Sequence, residues 1–232
     1  MKELYVFCEG RTEQNFCKEI LQAAFFPQHD GEVRPIQIAH SRRRGVVHRG
    51  GVSRRYVVMR NDIRNALNQH KRAGVRFTTM IDLYGLPSDF PGKANHQRNP
   101  DNPRPYVEAL ETAFGNDIGD ARFIPHLQLH EYETLLFADV DSFRCSFDQC
   151  DHEIEQLREI VESFSSVEHI NDGPQTAPSK RIIEILPAYE GLKTTAGPDI
   201  AKKTGMERLC KCCPHFSDWI TTVRNVLAGE KA

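Results

Sequence analysis

A buried strand that turns directly into a helix is encoded in residues 4–16, which read LYVFCEGRTEQNF. Leu4–Cys8 is an apolar run, partly β-branched or aromatic, which is typical of a strand buried on both faces. Glu9 and Gly10 end that strand, and Thr12 is the expected N-cap of the helix that follows. These residues therefore predict a β-α unit.

The alternation of strands and helices continues along the chain. Further strands are predicted around residues 36–38, at Val75–Asp82 and at Arg122–His130. Segments with apolar residues at helical spacing separate these strands and also follow the last of them. This order predicts an α/β protein with a mainly parallel sheet flanked by helices. We expect residues 1–140 to form the α/β core and residues 141–232 to pack on it as a helical C-terminal part of the same domain.

The composition is typical of a globular protein without a membrane segment. The 232 residues carry 30 Lys and Arg against 32 Asp and Glu, a formal charge of −2, and the mean hydropathy is −0.52. No apolar run approaches the roughly 18 residues of a membrane span, and Leu4–Cys8 is too short for the core of a signal peptide. Seven cysteines without the spacing of a disulfide framework indicate free thiols. We therefore expect a cytoplasmic protein with no membrane partner.

Four acidic residues stand at the ends of predicted strands. Glu9 follows the first strand, Asp82 closes the third, and Glu131 and Glu133 close the fourth. The reactive groups of parallel sheets lie beyond the carboxyl ends of the strands. We therefore expect these acids to converge at one edge of the sheet.

A carboxylate cluster of this kind predicts a divalent metal site. Glu13 lies four residues after Glu9, and Gly10 permits the tight turn between them, so that both carboxylates can point at one ion. Mg²⁺ prefers oxygen ligands, and one or two such ions can activate water and hold the oxygens of a phosphoryl transfer. Each acid also has a structural interpretation, as a partner of the helix dipole, a turn cap or a solvated side chain.

The near-zero net charge hides a strongly basic segment. No acidic residue occurs between Val33 and Asn61, and these 29 residues hold eight arginines: Arg34, Arg42, Arg43, Arg44, Arg49, Arg54, Arg55 and Arg60. Residues 41–55 show no hydrophobic period and are predicted to form an exposed loop. The six arginines of this loop suit the phosphate backbone of a nucleic acid without reading its sequence. A solvated loop, or one that docks on an acidic partner, is the alternative.

Several longer segments resemble one protein family over nearly the whole chain. They are residues 6–16 (VFCEGRTEQNF), 79–92 (TMIDLYGLPSDFPG), 124–139 (IPHLQLHEYETLLFAD), 170–182 (INDGPQTAPSKRI) and 212–219 (CCPHFSDW). On these segments the chain is identified as a member of the domain-of-unknown-function 4276 family. That family is placed near the Toprim-like nucleases of the overcoming-lysogenization-defect type.

The resemblance implies a Toprim-like sheet whose first strand ends in a glutamate and whose later acids bind Mg²⁺ or Mn²⁺. Glu9 matches the first-strand acid, Glu13 the second acid of a nuclease-type E-G-x-x-E turn, and Asp82 the first aspartate of the Toprim Asp-x-Asp motif. Tyr84 stands where that motif has its second aspartate. An acid of the pair after the fourth strand is therefore the expected substitute ligand.

The resemblance also implies a lysine that neutralises charge on the scissile phosphate. Lys180 follows a loop rich in Gly and Pro, from which it can reach an active site, and Arg181 beside it is a second candidate for phosphate contact. A solvated lysine at the start of a helix is the structural alternative. Relatives of this type are implied to act in anti-phage or mobile-element defence beside a partner ATPase, and the chain itself has no G-x-x-x-x-G-K-[ST] motif.

Cysteine and histidine residues form weaker patterns. Residues 210–215 read CKCCPH, but this spacing lacks the usual gaps of a zinc site and favours buried thiols. His126, His130 and His152 are scattered along the chain. His130 adjoins Glu131 and is a candidate for orienting a metal-bound acid or water.

Together, these patterns predict a metal-dependent phosphodiesterase, in particular a nuclease, with Glu9, Asp82 and Lys180 as catalytic residues. The expected metal ligands are Glu9, Glu13, Asp82, Glu131 and Glu133. Two other hypotheses stay open. In the first, the chain is a non-catalytic subunit whose arginine loop binds nucleic acid or a partner ATPase. In the second, the chain hydrolyses a small phosphorylated nucleotide.

Overall fold

Parallel strands form the central sheet of the protein, for which a computed structural model describes residues 1–43, 46–99, 101–170, 173 and 175–229. The strands are β1 (Lys2–Cys8), β2 (Gly31–Gln37), β3 (Ala39–Arg43), β4 (Val46–Arg49), β5 (Val75–Asp82), β6 (Phe123–Ile124) and β7 (Leu127–Gln128). The sheet has the order β2-β1-β5-β6, and β7 pairs with the far end of β5. All of these pairs are parallel, whereas β3 and β4 form a separate antiparallel hairpin.

Helices flank this sheet and make up the C-terminal part of the chain, which confirms the predicted α/β class. They are α1 (Arg11–Phe16), α2 (Gln22–Phe25), α3 (Tyr56–Gln69), α4 (Arg104–Ile118), α5 (Asp151–Glu162), α6 (Pro178–Ile185), α7 (Tyr189–Thr204), α8 (Met206–Cys212) and α9 (Pro214–Ala228). A π-helical turn, Cys17–Leu21, joins α1 to α2. In the described part of the chain, none of the helices is both long enough and apolar enough to cross a membrane.

The strand register brings the carboxyl ends of β1, β5 and β7 to one edge of the sheet. Cys8 at the end of β1 pairs with Met80, and Asp82 at the end of β5 pairs with Gln128 at the end of β7. The chain segments that follow β1 and β7 therefore leave the sheet beside each other and beside Asp82.

Both faces of β1 are buried, which explains its continuous apolar sequence. Leu4, Val6 and Cys8 point into one core, which also contains α1 and the C-terminal helices. Tyr5 and Phe7 point into a second core against α3 and α4. The apolar stripe of α9 lies in the first core, so the C-terminal helix completes that face of the sheet.

The turn from β1 into α1 is tighter than expected. Helix α1 begins at Arg11 with Gly10 as its N-cap, so the prediction of Thr12 as the N-cap was wrong. Glu13 Oε2 accepts a hydrogen bond of 2.7 Å from the Gly10 N–H. A carboxylate at this position satisfies one of the free N–H groups at the helix start, which a threonine cap would otherwise do.

Part of the arginine-rich segment forms a β-hairpin, so the predicted loop at residues 41–55 was wrong for residues 41–43 and 46–49, whereas residues 50–55 lie in neither a helix nor a strand. Strands β3 and β4 pair with each other between Ala39 and Arg49. Two backbone hydrogen bonds tie the base of the hairpin to the segment that leaves β1: the Ile38 N–H donates to the Cys8 carbonyl at 2.9 Å, and the Gly51 N–H donates to the Glu9 carbonyl at 2.8 Å. The hairpin is therefore anchored next to Glu9. Backbone bonds between distant segments leave no hydrophobic period in the sequence, so the sequence gives no sign of these strands.

The predicted strand Arg122–His130 is interrupted in the middle. Strands β6 and β7 flank Pro125, which has no N–H to donate to a strand ladder. The Thr79 hydroxyl of β5 takes over the pairing there, since its Oγ1 accepts from the His126 N–H at 3.0 Å and donates to the His126 carbonyl at 2.6 Å. The interruption leaves the end of the strand, and the acids after it, at the predicted edge.

The long connection between β5 and α4 packs its own apolar side chains. Leu86 and Phe90 are buried in the second core. Asp89 Oδ1 accepts a hydrogen bond of 2.9 Å from the Tyr56 N–H at the start of α3. This loop therefore holds the helix that follows the arginine-rich segment.

Replacement of Phe16 by Ala tests the first core. Phe16 is fully buried and meets the rings of Tyr132 and Phe216 edge-on, with centroid distances of 5.6 and 6.1 Å. We expect the free energy of unfolding, measured by urea denaturation, to fall by about 3–5 kcal/mol, because the change opens a cavity. Leu192→Ala, at a residue that is 45% exposed, is the control and should change the same quantity by less than about 0.5 kcal/mol.

Candidate functional site

Five carboxylates meet at the carboxyl edge of the sheet, and we call this group the acidic edge: Glu9, Glu13, Asp82, Glu131 and Glu133. They come from the end of β1, the first turn of α1, the end of β5 and the 3₁₀ segment that begins after β7. The charges of the other four carboxylates each raise the pKa of Asp82, which places all four of them in its neighbourhood. All five predicted ligands therefore lie in one region of the structure, but no three of these described residues offer carboxylate oxygens within 4.8 Å of one another.

Three of the carboxylates are held by partners from other segments. Glu13 accepts from the Gly10 N–H, as described above, and Glu131 Oε1 accepts from the Ser179 N–H at the start of α6. Glu133 Oε1 accepts from the Tyr189 hydroxyl at 3.3 Å and lies 3.4 Å from Lys193 Nζ of α7. These contacts orient the carboxylates without neutralising most of their charge.

The other two carboxylates keep atoms that no described residue satisfies. Glu9 Oε2 and Asp82 Oδ1 are buried and have no hydrogen-bond partner in the described part of the chain. Gly85 lies against the Glu9 carboxylate, and a Cβ at this glycine would be 3.4 Å from both of its oxygens. Buried acceptors without a donor are costly, so these two oxygens suit a positively charged ligand.

Burial and mutual repulsion raise the proton affinity of the acidic edge. Burial first, and then the charges of Glu131 and Glu133, raise the pKa of Glu9 to about 7. The pKa values of Glu13 and Glu133 are raised to about 7 as well, again mainly by burial. Burial and the four neighbouring carboxylates raise the pKa of Asp82 well above its usual range. A positive ligand that entered the group would displace protons from it.

The lysine beside the acids is Lys193, which sequence reasoning missed. Its Nζ pairs with Glu133, and its charge offsets a small part of the rise that burial causes in the pKa of Glu13. Lys180 is exposed on the first turn of α6, one residue after the Ser179 N–H that binds Glu131. Its catalytic role stays a prediction.

Arg181 and His130, which the sequence also singled out, have structural contacts. Arg181 Nε donates to the Thr176 carbonyl at 2.9 Å, and its guanidinium lies over the Phe164 ring at 5.4 Å. His130 Nε2 lies 3.0 Å from the Glu168 carbonyl oxygen, and Nδ1 lies 3.4 Å from Arg98 Nη2. The contacts of Arg181 hold the start of α6 in place.

The arginines of the basic segment divide into paired and exposed residues. Arg49 forms two hydrogen bonds with the Asp62 carboxylate, at 2.8 and 3.0 Å, so it fixes the hairpin to α3. Arg54 and Arg55 are exposed, three and four residues after the Gly51 that bonds to Glu9. Arg42 and Arg43 belong to β3, and Arg44 lies outside the described residues. The exposed pair therefore follows the backbone contact with Glu9 within four residues of chain.

A family model with the description "Domain of unknown function (DUF4276)" matches residues 8–224, a range that includes all five residues of the acidic edge. The chain belongs to the DUF4276 family. No match was found among the curated proteins or the solved structures. Family membership confirms the resemblance to this family, and the Toprim-like relationship stays a prediction.

A second cluster in this DUF4276 protein joins one glutamate and two histidines that could hold a metal ion. Glu111 of α4, His126 between β6 and β7, and His215 of α9 each offer a ligand atom within 4.8 Å of the other two. Burial raises the pKa of Glu111, but hydrogen bonds with both histidines outweigh it and bring the pKa down to about 2. Burial lowers the pKa of His126 to about 4. Sequence reasoning missed this cluster, because its members are far apart in the chain.

The pH dependence of stability tests the electrostatics of the acidic edge. The pKa of Glu9 is about 7 in the folded protein and about 4.3 in an unfolded chain. Its contribution to the free energy of unfolding is therefore present below about pH 4.3 and is lost as the pH rises through 7. A Glu9→Gln variant carries no titrating group at this position. We expect it to gain stability relative to the wild type as the pH rises from about 5 to 8 in metal-free buffer.

Chemical denaturation at several pH values measures this difference. Glu162→Gln, at an exposed residue of α5, is the matched control and should give a curve parallel to the wild type. A Glu9→Gln curve that is also parallel to the wild type would contradict a raised pKa at Glu9.

Proposed function

We propose that this DUF4276 protein is a metal-dependent phosphodiesterase that cleaves nucleic acid at the acidic edge. The proposal rests above all on the charge of that edge. Five carboxylates from four chain segments lie there with their charges acting on one another, and three of them belong to buried residues. Lys193 sets one positive charge against them. Like charges gathered in this way require compensation by protons or by cations.

The residues of the acidic edge fit a hard divalent cation. Every candidate ligand atom is a carboxylate oxygen, which is the donor that Mg²⁺ and Mn²⁺ take. Glu9 Oε2 and Asp82 Oδ1 are buried carboxylate oxygens without a partner among the described residues, and they would hold the first ion. Glu13, Glu131 and Glu133 would complete its surroundings or hold a second ion. Glu9, Glu13 and Asp82 are also the ligand positions that the Toprim-like resemblance implies.

A divalent cation bound here would supply a water of lowered pKa and a positive charge for the phosphate oxygens. The chain's own groups would do the remaining work. Lys193, fixed by Glu133, donates to an anionic oxygen at the edge, and Lys180 on α6 would add a second positive charge. The buried hydroxyl of Tyr132 has no partner in the described part of the chain and lies within the influence of the Glu13 and Glu133 charges, so it would be a further donor.

A polyanionic substrate is favoured by the exposed arginines beside the acidic edge. The backbone bond between Gly51 and Glu9 sets the distance between the basic segment and the carboxylates. Arg54 and Arg55 are free of ion pairs among the described residues and are exposed where α3 starts. Side chains of this kind contact the phosphates that flank a scissile bond, irrespective of base sequence.

Cleavage of a supercoiled plasmid tests the activity. We expect nicking in the presence of Mn²⁺ or Mg²⁺ and none after removal of metal with EDTA. Glu9→Gln and Asp82→Asn should each lower the rate by at least about 100-fold, since each removes a ligand charge at the centre of the edge. Both variants keep the shape of the side chain, and circular dichroism checks that they fold.

Glu162→Gln is the control for this assay and should cleave at the wild-type rate. Equal rates for the wild type and Glu9→Gln would contradict the proposal. Metal-independent binding of DNA or RNA without cleavage would instead support a non-catalytic nucleic-acid-binding subunit.

Binding of a fluorescent duplex tests the role of the basic segment. We expect Arg54→Gln/Arg55→Gln to weaken binding and to reduce the slope of log Kd against log salt concentration by roughly 2, because each arginine neutralises one phosphate. Lys71→Gln is the control, because Lys71 is an exposed cation that precedes β5 and lies at the opposite edge of the sheet. An unchanged salt slope in the double variant would place the nucleic acid elsewhere.

A further inference from the structure

We propose that Glu111, His126 and His215 form a site for a divalent transition-metal ion of the zinc type, separate from the acidic edge. The three residues come from α4, from the β6–β7 connection and from the first turn of α9. None of them belongs to the group that the proposed phosphodiesterase activity uses. This site therefore goes beyond that function and stands on its own geometry.

The distances between the donor atoms fit ligands of one ion. His215 Nε2 lies 3.1 Å from Glu111 Oε1 and 3.2 Å from Oε2, and His126 Nδ1 lies 3.4 Å from Glu111 Oε1. Ligand bonds of about 2.0–2.2 Å at tetrahedral or octahedral angles place neighbouring donor atoms roughly 3.0–3.5 Å apart. Small movements would therefore suffice to admit an ion between them.

The surrounding structure holds each ligand in place. The Leu127 N–H donates to Glu111 Oε1 at 2.7 Å. The ring of His126 stacks on Trp219, with a centroid distance of 4.1 Å and an angle of 4°, and the Trp219 indole N–H donates to Thr78 at 2.9 Å. The backbone N–H of His215 donates to the Glu168 carboxylate at 3.1 Å. Ligands fixed by such supporting contacts are characteristic of metal sites in proteins.

Two further buried atoms become a complementary pair when a metal is bound. His126 Nε2 and Gln128 Oε1 have no hydrogen-bond partner among the described residues. A metal on His126 Nδ1 requires the neutral ring with its proton on Nε2. The ring would then present a donor in a region that already contains the unsatisfied acceptor of Gln128.

The donor set and the cavity indicate the class of ion. Two imidazole nitrogens and one carboxylate oxygen suit Zn²⁺, Co²⁺, Fe²⁺ or Ni²⁺ far better than Mg²⁺. The three ligands line a cavity of about 130 Å³ together with Glu108 and Asp218. Three protein ligands leave a coordination position for water or a small ligand, as in metal sites that carry out chemistry.

Calorimetric titration of the EDTA-treated protein with Zn²⁺ tests the site, with excess Mg²⁺ present to occupy the acidic edge. We expect one Zn²⁺ to bind per chain. Glu111→Gln and His215→Gln should weaken its binding by more than about 10-fold, because each removes a ligand. Glu108 lines the same cavity without belonging to the cluster, so Glu108→Gln is the matched control and should keep wild-type Zn²⁺ affinity. Glu9→Gln should keep this affinity as well.

The visible and near-ultraviolet spectrum of the Co²⁺-loaded protein separates this site from the nearby cysteines. Ligation by nitrogen and oxygen gives no thiolate charge-transfer band, whereas binding by Cys210 or Cys212 would give one. A thiolate band that disappears in Cys210→Ser/Cys212→Ser would overturn the proposal. So would absence of Zn²⁺ binding by the wild type, or equal binding by Glu111→Gln when circular dichroism shows that this variant is folded.

Discussion

Parallel pairing of β1 with β5 is the constraint on which the rest of the structure depends. It buries both faces of β1, separates the two cores, and directs the ends of β1 and β5 to the same edge. The Glu9 carbonyl then anchors the basic hairpin through Gly51, while the carboxylates of Glu9 and Asp82 are forced together. One register thus positions the acidic edge and its basic neighbour.

Concentrated negative charge opposes the stability of this arrangement. Buried carboxylates that repel one another raise their own pKa values toward 7, whereas the paired carboxylate of Glu111 has a pKa of about 2. The contrast follows from the surroundings of each acid, since Glu111 faces two histidines and Glu9 faces other acids. Carboxylates with strongly raised pKa values cluster at functional sites of proteins, which is why the acidic edge carries the proposed function.

The position of the acids was predictable because strand ends in a parallel sheet share one edge. Glu9 follows β1 and Asp82 ends β5, while Glu131 and Glu133 come three and five residues after the end of β7. Lys193 was not predictable, because it reaches Glu133 only through the packing of α7. That helix comes close because Gly197 has no side chain: a Cβ there would lie 3.1 Å from the Tyr132 ring. The hairpin of the basic segment was missed for a similar reason, since its anchors are backbone bonds to β1.

By itself, the sequence determined the α/β class, the membership in the DUF4276 family, and which carboxylates stand at strand ends. Local patterns are sufficient for these features, because apolar runs and helical spacing are set by neighbouring residues. Only the tertiary structure decided that Lys193 is the side chain that pairs with Glu133, and that Arg49 is already paired with Asp62. It also decided that Glu111 contacts His215, which lies 104 residues further along the chain. Contacts of that kind depend on how whole helices pack, and no local periodicity records them.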